Sequence, residues 1–512
     1  MNERLALTGS GSPTVFAGSQ ALHSQYNPQA EAERYVASLT IREGVRFFIL
    51  IEPGLGYAVP VLRKRYPQAR IIALHVSDFF DASVPPMLRA DAAWCPGRGV
   101  PVQRFLEREI PDIEGRSIGL IEWRPALDAY GEDYLRLLSE AVDFIKRLDA
   151  NARTVRGFGR RWVRNVFRNL RLMRNVLTLP QTSIPLIVAG AGPSLEETAT
   201  LIREKQAQGY GVLAASSSLE ALLARGIGPN LVISTDGGAW ASLHLFGAWR
   251  AHREGLPLAL GAAITAAIPS QCGDLPVLVI SDGSLWQALA LQSAALPFIA
   301  LPARGTVTAA ALDLAFTLTR GEVSIAGTDL GHRDMCTHAR PYSFNRLLED
   351  RASRFQPFYS QTFVRSEAIK ASGSHGIYAA WFKQRLDAYP QRLRALGDNN
   401  PLFKSLKAPR GPSNPGGPPN PGEPPNPGGP SNPEGPASFP RGRIIGAGIY
   451  NAEKALRNLT AALSGPAAAV IVRELAPLLL PGREDPSPEE LKAEIRSLVK
   501  ASGRTDGETG DG

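Results

Sequence analysis

The chain predicts an α/β fold: two domains with mostly parallel, doubly wound sheets, followed by a C-terminal helical segment. Three observations carry that prediction. Short apolar runs of strand length alternate with helical stretches, as in parallel sheets buried on both faces. Two of these runs end in a glycine turn that opens a helix, the arrangement found at the ligand-binding edge of such sheets. The length, 512 residues at 44% hydrophobic content, suffices for two or three separate cores.

Residues 1–150 read as the first domain. Phe47–Ile51 is a strand, Glu52-Pro53-Gly54-Leu55-Gly56-Tyr57 a turn, Ala58–Tyr66 a helix and Ile71–His75 the next strand. Only Gly54 and Gly56 could approach an anion there, so this turn is either a degenerate structural copy or a working site. Residues 151–180 read as an arginine-rich bridging helix. Residues 151–176 hold eight arginines and no acid; setting those aside leaves 48 basic residues against 48 acidic, so the net charge of +8 resides here. Arg156, Arg160, Arg164, Arg168 and Arg171 share one helical face, and Trp162, Val166, Leu170 and Met173 another. The cationic stripe is either a solvated or domain-paired face, or a docking face for an acidic partner or membrane surface. No interleaved aromatic or recognition motif accompanies it, so nucleic acid is not the expected partner.

The second domain, 181–407, carries strands at Ile184–Ala189, Val212–Ala215, Leu231–Thr235, Val277–Ile280 and Val323–Ala326. Helices are expected at Ser194–Gln206, Leu219–Arg225 and Thr308–Thr319. Its most informative segment is Gly190-Ala191-Gly192-Pro193-Ser194-Leu195. The glycines break the first strand, Pro193 pre-sets a helical φ, and Ser194 with Glu197 forms a capping-box pattern. Free backbone amides at a new helix N-terminus suit a phosphate. The dinucleotide fingerprint needs a third glycine where this chain has Leu195, so no NAD site is read. Polar residues cluster at the other strand ends: Ser216-Ser217-Ser218, Asp236 with its glycines, Asp282, and Thr328-Asp329.

Residues 408–441 contain four near-repeats of a hexapeptide such as PSNPGG and read as an extended linker. Residues 442–482 read as a helical segment and 483–512 as a charged, flexible tail. Cys95, Cys272 and Cys336 give neither a disulfide framework nor metal-ligand spacing, and no metal site is assigned. No signal peptide or transmembrane span is expected, which suggests a cytoplasmic location; the oligomeric state is open.

GAGPSLEE followed by SSSLEALLARGIGPNLVISTDGG resembles the motility-associated factor family, flagellin glycosyltransferases of polarly or periplasmically flagellated bacteria. Leu22–Arg34, Arg161–Leu170 (with Asn165 and Asn169) and Gly305–Ala339 resemble further segments of that family, in the same order. The central domain is also similar to bacterial CMP-sialic-acid sialyltransferases. The resemblance implies two Rossmann-like domains, the central one sialyltransferase-like. It implies transfer of a nonulosonic sugar, such as a sialic or pseudaminic acid, from a CMP-activated donor to Ser/Thr hydroxyls of flagellin. By it, Gly190, Gly192, Pro193, Ser194 and Leu195 would cradle the CMP phosphate, Gly305, Thr306 and Thr308 would hold the sugar carboxylate, and Asp236 and Ser216 would lie near the nucleoside. Ala191 and Ser216–Ser218 stand where the sialyltransferases carry asparagines.

Such a transfer requires a stabilised leaving phosphate and a base for the acceptor hydroxyl. His338, His375 and His332 are the candidates for the base; His338 is preferred, with Asp329 orienting or substituting for it, and His375 is placed in a lid-like stretch. No cofactor is required. The alternative is an ATP-dependent enzyme like the archaeal 6-hydroxymethylpterin diphosphokinases, which the central domain also resembles; Mg²⁺ would then be held by Asp236, Asp282 and Asp329. A non-catalytic flagellin-binding protein is a further reading.

Overall fold

The computed structural model describes residues 3–110, 117–358, 360, 363–364, 367, 374–397, 439–440, 442–446, 451–483 and 486–502. The expected linker therefore lies almost wholly outside the described residues. The chain forms two compact units, Met1–Gly157 and Phe158–Gly512. Their boundary falls inside one continuous helix, Glu132–Leu172. The bridging helix thus begins before residue 151 and ends before 180, because Asn175–Thr178 is a strand.

The first unit opens with an antiparallel sheet that the sequence did not signal: β1 (Glu3–Leu7), β2 (Pro13–Ala17) and β3 (Gln20–Ala21). A parallel sheet follows, of β4 (Phe47–Ile51), β5 (Arg70–Leu74), β6 (Ala92–Trp94) and β7 (Ile118–Glu122), in the order β6-β5-β4-β7. Alternation along β4 covers both faces. Ile49 and Ile51 pack with Phe105, Leu106 and Tyr134, while Phe48 and Leu50 pack with Val59 and Leu62. The chain reverses its winding direction at β4, which puts the turn after β4 at the crevice of the sheet.

The second unit holds β8 (Asn175–Thr178), β9 (Leu186–Ala189), β10 (Gly211–Ala215), β11 (Leu231–Ser234), β12 (Ala259–Ala263), β13 (Pro276–Ser281), β14 (Ile299–Ala300), β15 (Val323–Ala326), β16 (Leu393–Ala395) and β17 (Arg443–Gly446). The order is β16-β15-β9-β10-β11-β12-β13-β8-β17, with β14 also on β13; β17 alone runs antiparallel to its neighbour. β12 lies in the apolar run Leu256–Ile268, where no strand was expected, since its small residues Ala259, Gly261, Ala262 and Ala263 carry little strand propensity. Helix Val307–Leu318 lies over β9, β10 and β11 with Leu312, Leu314 and Leu318 buried, each contributing about 1.5–3 kcal/mol. The winding reverses between β9 and β15, which aims the loop after β9 at the crevice.

The C-terminal part departs from expectation twice. It begins with a strand, β17, before helices Asn451–Ala462 and Ala468–Leu479. The expected flexible tail contains a helix, Pro488–Ser502, held by buried Leu491, Ile495 and Val499. Its apolar residues recur at helical spacing, a signal that the tail's charge concealed. Glu474 accepts from the amides of Leu285 and Trp286 (3.0 Å each), tying the C-terminal helices to helix Leu285–Ser293.

Candidate functional site

The loop after β9 is the centre of the candidate site, and its amides are already engaged. The Gly190 amide donates to Ala326 O (2.8 Å) and the Gly192 amide to Gly327 O (2.7 Å), extending the β9–β15 pairing past the strand ends. The Ser194 amide donates to Asp329 Oδ2 (3.2 Å) and Oδ1 (3.3 Å), and its hydroxyl to Oδ2 (2.8 Å). Ser194 is therefore no capping box; its hydroxyl serves Asp329, and Glu197 pairs with Arg333. A Cβ at Gly192 would collide with the Asp329 carboxylate, so the approach requires glycine. Pro193 and Leu195 contribute the helix start and a buried anchor respectively. Burial raises the Asp329 carboxyl above its ordinary range, against the Ser194 bonds that favour its ionised form. An anionic oxygen group thus sits at the helix N-terminus, supplied by the chain itself.

The remaining expected residues distribute around this point. Thr308 borders the loop, its methyl 3.2 Å from where a Gly190 Cβ would stand. Thr306 caps helix Val307–Leu318 by accepting from the Ala309 amide (3.1 Å), and Gly305 packs against the Tyr378 ring. Ser216 is buried in the turn after β10, where Ser218 donates to Ala189 O (3.1 Å) at the end of β9. Asp236 accepts from the Gly238 amide (2.7 Å) at the end of β11. Asp282 accepts from the Ser284 amide (2.8 Å) and from Gln287 Nε2 (2.7 Å). Among the described residues no three His, Cys, Asp or Glu side chains gather as a metal site.

The three histidines separate. His338 Nδ1 shares a hydrogen bond with Thr337 Oγ1 (2.8 Å), and its ring stacks on Tyr342 at 4.1 Å. It does not pair with Asp329, which corrects the expected orienting contact. The adjoining Ala339 amide donates to Ala191 O (2.8 Å), so the His338 segment is fastened to the β9 loop. Arg340 and Arg225 both reach Glu196 in the first turn of helix Leu195–Ala207 and reinforce that attachment. His332 pairs with Glu367 (3.0 Å). His375 lies in helix Ser374–Ala388 rather than a lid loop.

Sequence reasoning missed His244. It follows Asp236 in the segment Ala239–Leu245, is 9% exposed, and lies 5.5 Å from Tyr342 and 4.9 Å from Phe344. Burial pushes its imidazole down to about 4, with Asp236 acting in the opposite sense, and its Nδ1 is buried without a hydrogen-bond partner. A histidine within an apolar helical pattern gives no signal of such company. The asparagines of the long helix have a clear structural role. Asn165 Nδ2 donates to Gly237 O (3.2 Å) and Thr265 O (2.9 Å), and Asn169 Nδ2 to Ile264 O and Ala266 O (2.8 Å each). Both side chains are buried, and they hold the loops after β11 and β12.

Residues 160–335 match the family model of 6-hydroxymethylpterin diphosphokinase MptE-like proteins. That segment runs from the arginine helix past Asp329, the span whose likeness to such proteins the sequence displays. An uncharacterized protein of Treponema pallidum (strain Nichols) is 27% identical over 294 residues, which cover 57% of this chain and 63% of that relative. The chain thus spans less than two thirds of that relative's length. A second uncharacterized protein of the same organism is 27% identical over 217 residues, covering 39% of this chain and 72% of its own. A solved structure titled "Structure of MAf glycosyltransferase from Magnetospirillum magneticum AMB-1" aligns over 98% of this chain and 86% of its own, at 14% identity and a TM-score of 0.47. Among the described residues no helix is long and apolar enough to cross a membrane.

Proposed function

We propose that the second unit is a glycosyltransferase that moves a nonulosonic, sialic- or pseudaminic-acid-like sugar from its CMP-activated form to Ser or Thr hydroxyls of flagellin in the cytoplasm. One observation carries the reading: the Ser194 amide and hydroxyl converge on an anionic oxygen group beside a glycine that leaves no room for a side chain. A donor phosphate has the charge and shape to take the place of the Asp329 oxygens. In the transfer the acceptor oxygen bonds to the anomeric carbon, the bond from that carbon to the phosphate oxygen breaks, and its electron pair leaves with CMP. The acceptor proton passes to His338, whose segment is fastened to the loop through Ala339. No cofactor enters this chemistry. The family-model match over 160–335 supports a second reading, ATP-dependent diphosphoryl transfer with Mg²⁺. Asp236, Asp282 and Asp329 would be its ligands, yet each is engaged in a separate set of hydrogen bonds.

Calorimetric titration with CMP, CDP, UDP and ATP, with and without Mg²⁺, separates the two. Selective, metal-independent CMP binding is expected; ATP binding that requires Mg²⁺ would put the diphosphokinase first. His338→Ala is expected to keep CMP affinity and lower transfer on the order of 100-fold or more. Unchanged transfer would remove His338 from the mechanism.

A further inference from the structure

We propose that a cationic cleft between the long helix and the C-terminal helices is a binding site for a small anion bearing two adjacent phosphoryl groups. The cleft is an open depression of about 330 Å³ lined by Arg171, Arg457, Arg496 and Lys500, with Glu453 as its one acid. Its residues come from three helices, Glu132–Leu172, Asn451–Ala462 and Pro488–Ser502, so tertiary packing alone brings them together. Arg171 acts structurally, since its guanidinium donates to Val499 O (3.1 Å) and answers the negative end of helix Pro488–Ser502.

The other three cations differ from their neighbours. Arg160 is paired with Glu494, Arg174 with Asp274 and Lys492 with Glu489. Among the described residues, Arg457, Arg496 and Lys500 form no ion pair. Three cations facing one space against a single carboxylate repel one another, and an anion within a Debye length of about 8 Å relieves that repulsion. Guanidinium forks pair with phosphoryl and carboxylate oxygens alike, and three cations against one acid favour the more highly charged of the two, a phosphoryl anion. The volume lies at the low end of small-molecule sites, about 300–1,000 Å³, and fits a compact diphosphate. The same chemistry is presented by a soluble diphosphate and by the headgroup of a lipid diphosphate. This site stands apart from the β9 loop and does not depend on the reading given to that loop.

The test is calorimetric titration of the full chain with inorganic diphosphate, alongside sedimentation with phosphatidylcholine vesicles containing diacylglycerol diphosphate. The wild type is expected to bind at least one probe saturably. Arg457→Gln/Arg496→Gln is expected to weaken that binding at least tenfold, Glu453→Gln to strengthen it, and Ser194→Ala to leave it unchanged. Loss in the titration alone assigns a soluble ligand, and loss in the sedimentation a headgroup. No saturable binding to either probe overturns the proposal, as does equal binding by the double variant with unaltered circular dichroism and Tm. Should the double variant fail to fold, Glu453→Gln decides: unchanged affinity overturns the site.

Discussion

The turns after β4 and β9 are built to one plan and finished differently. Each ends a buried parallel strand, carries two glycines, opens a helix, and places a carboxylate against backbone amides. After β4 the carboxylate is Glu52, from the turn itself, held with φ of 41° and fully buried. It accepts from the amides of Gly54 (3.2 Å) and Val76 (2.6 Å) and bonds His75 Nδ1 (3.1 Å), while His23 Nε2 accepts from the Leu55 amide (2.8 Å). The Gly54 approach is filled by the His23 ring. After β9 the carboxylate is Asp329, delivered by another strand and only partly buried. The first turn is a closed polar knot, whereas the second is an anion position that its own chain occupies. Of the two readings the sequence leaves open for the turn after β4, this filling by its own side chains supports the structural copy.

Four experiments break or sharpen that contrast. Glu52→Ala strands two amide donors and is expected to destabilise the first unit by about 3 kcal/mol in chemical denaturation; a loss below about 1 kcal/mol would show that the knot is not sealed. His23 is next. Burial pushes its imidazole down to about 3 from 6.5, so the folded state resists a proton that the unfolded chain accepts. Its stabilisation is complete above 6.5 and is lost as pH falls toward 3, roughly 2 kcal/mol by pH 5. His23→Gln should flatten that part of the pH–stability curve. Ser194→Ala should cost about 1 kcal/mol in stability while weakening CMP binding, a coupling that no change in the first turn should produce. The smallest effect belongs to Asp329→Asn. Because its folded pKa is raised, Asp329 favours the fold in its protonated form, and that contribution fades as pH rises through the folded value. The amide should therefore raise Tm slightly at neutral pH and not at acid pH, with Tm measured across pH.

Much of this was legible beforehand for a local reason. Phe47–Ile51 and Val323–Ala326 appear as strands at the expected residues, and Leu195–Ala207 as a helix shifted by one. The N-terminal antiparallel sheet escaped because Glu3–Ala21 is short, mixed and broken by Gly9, Gly11 and Gly18. The helix at Pro488–Ser502 escaped because acidic and basic residues mask its buried stripe. In the candidate site, Gly192, Ser194 and Asp329 were named but their mutual contact was not. His244 had no signal at all.

Apolar runs, glycine breaks and helix starts are properties of neighbouring residues, so the sequence by itself determined the two parallel α/β units and the strand–turn–helix devices within them. Which group meets each turn was left to tertiary structure. Ser194 and Asp329 are 135 residues apart and touch because β15 pairs with β9. The same holds for Arg171 and Val499, joined by helix packing across 328 residues. An isolated loop sequence displays the amides it offers; only the strand order and helix packing decide which anion, the chain's own or a ligand's, comes to meet them.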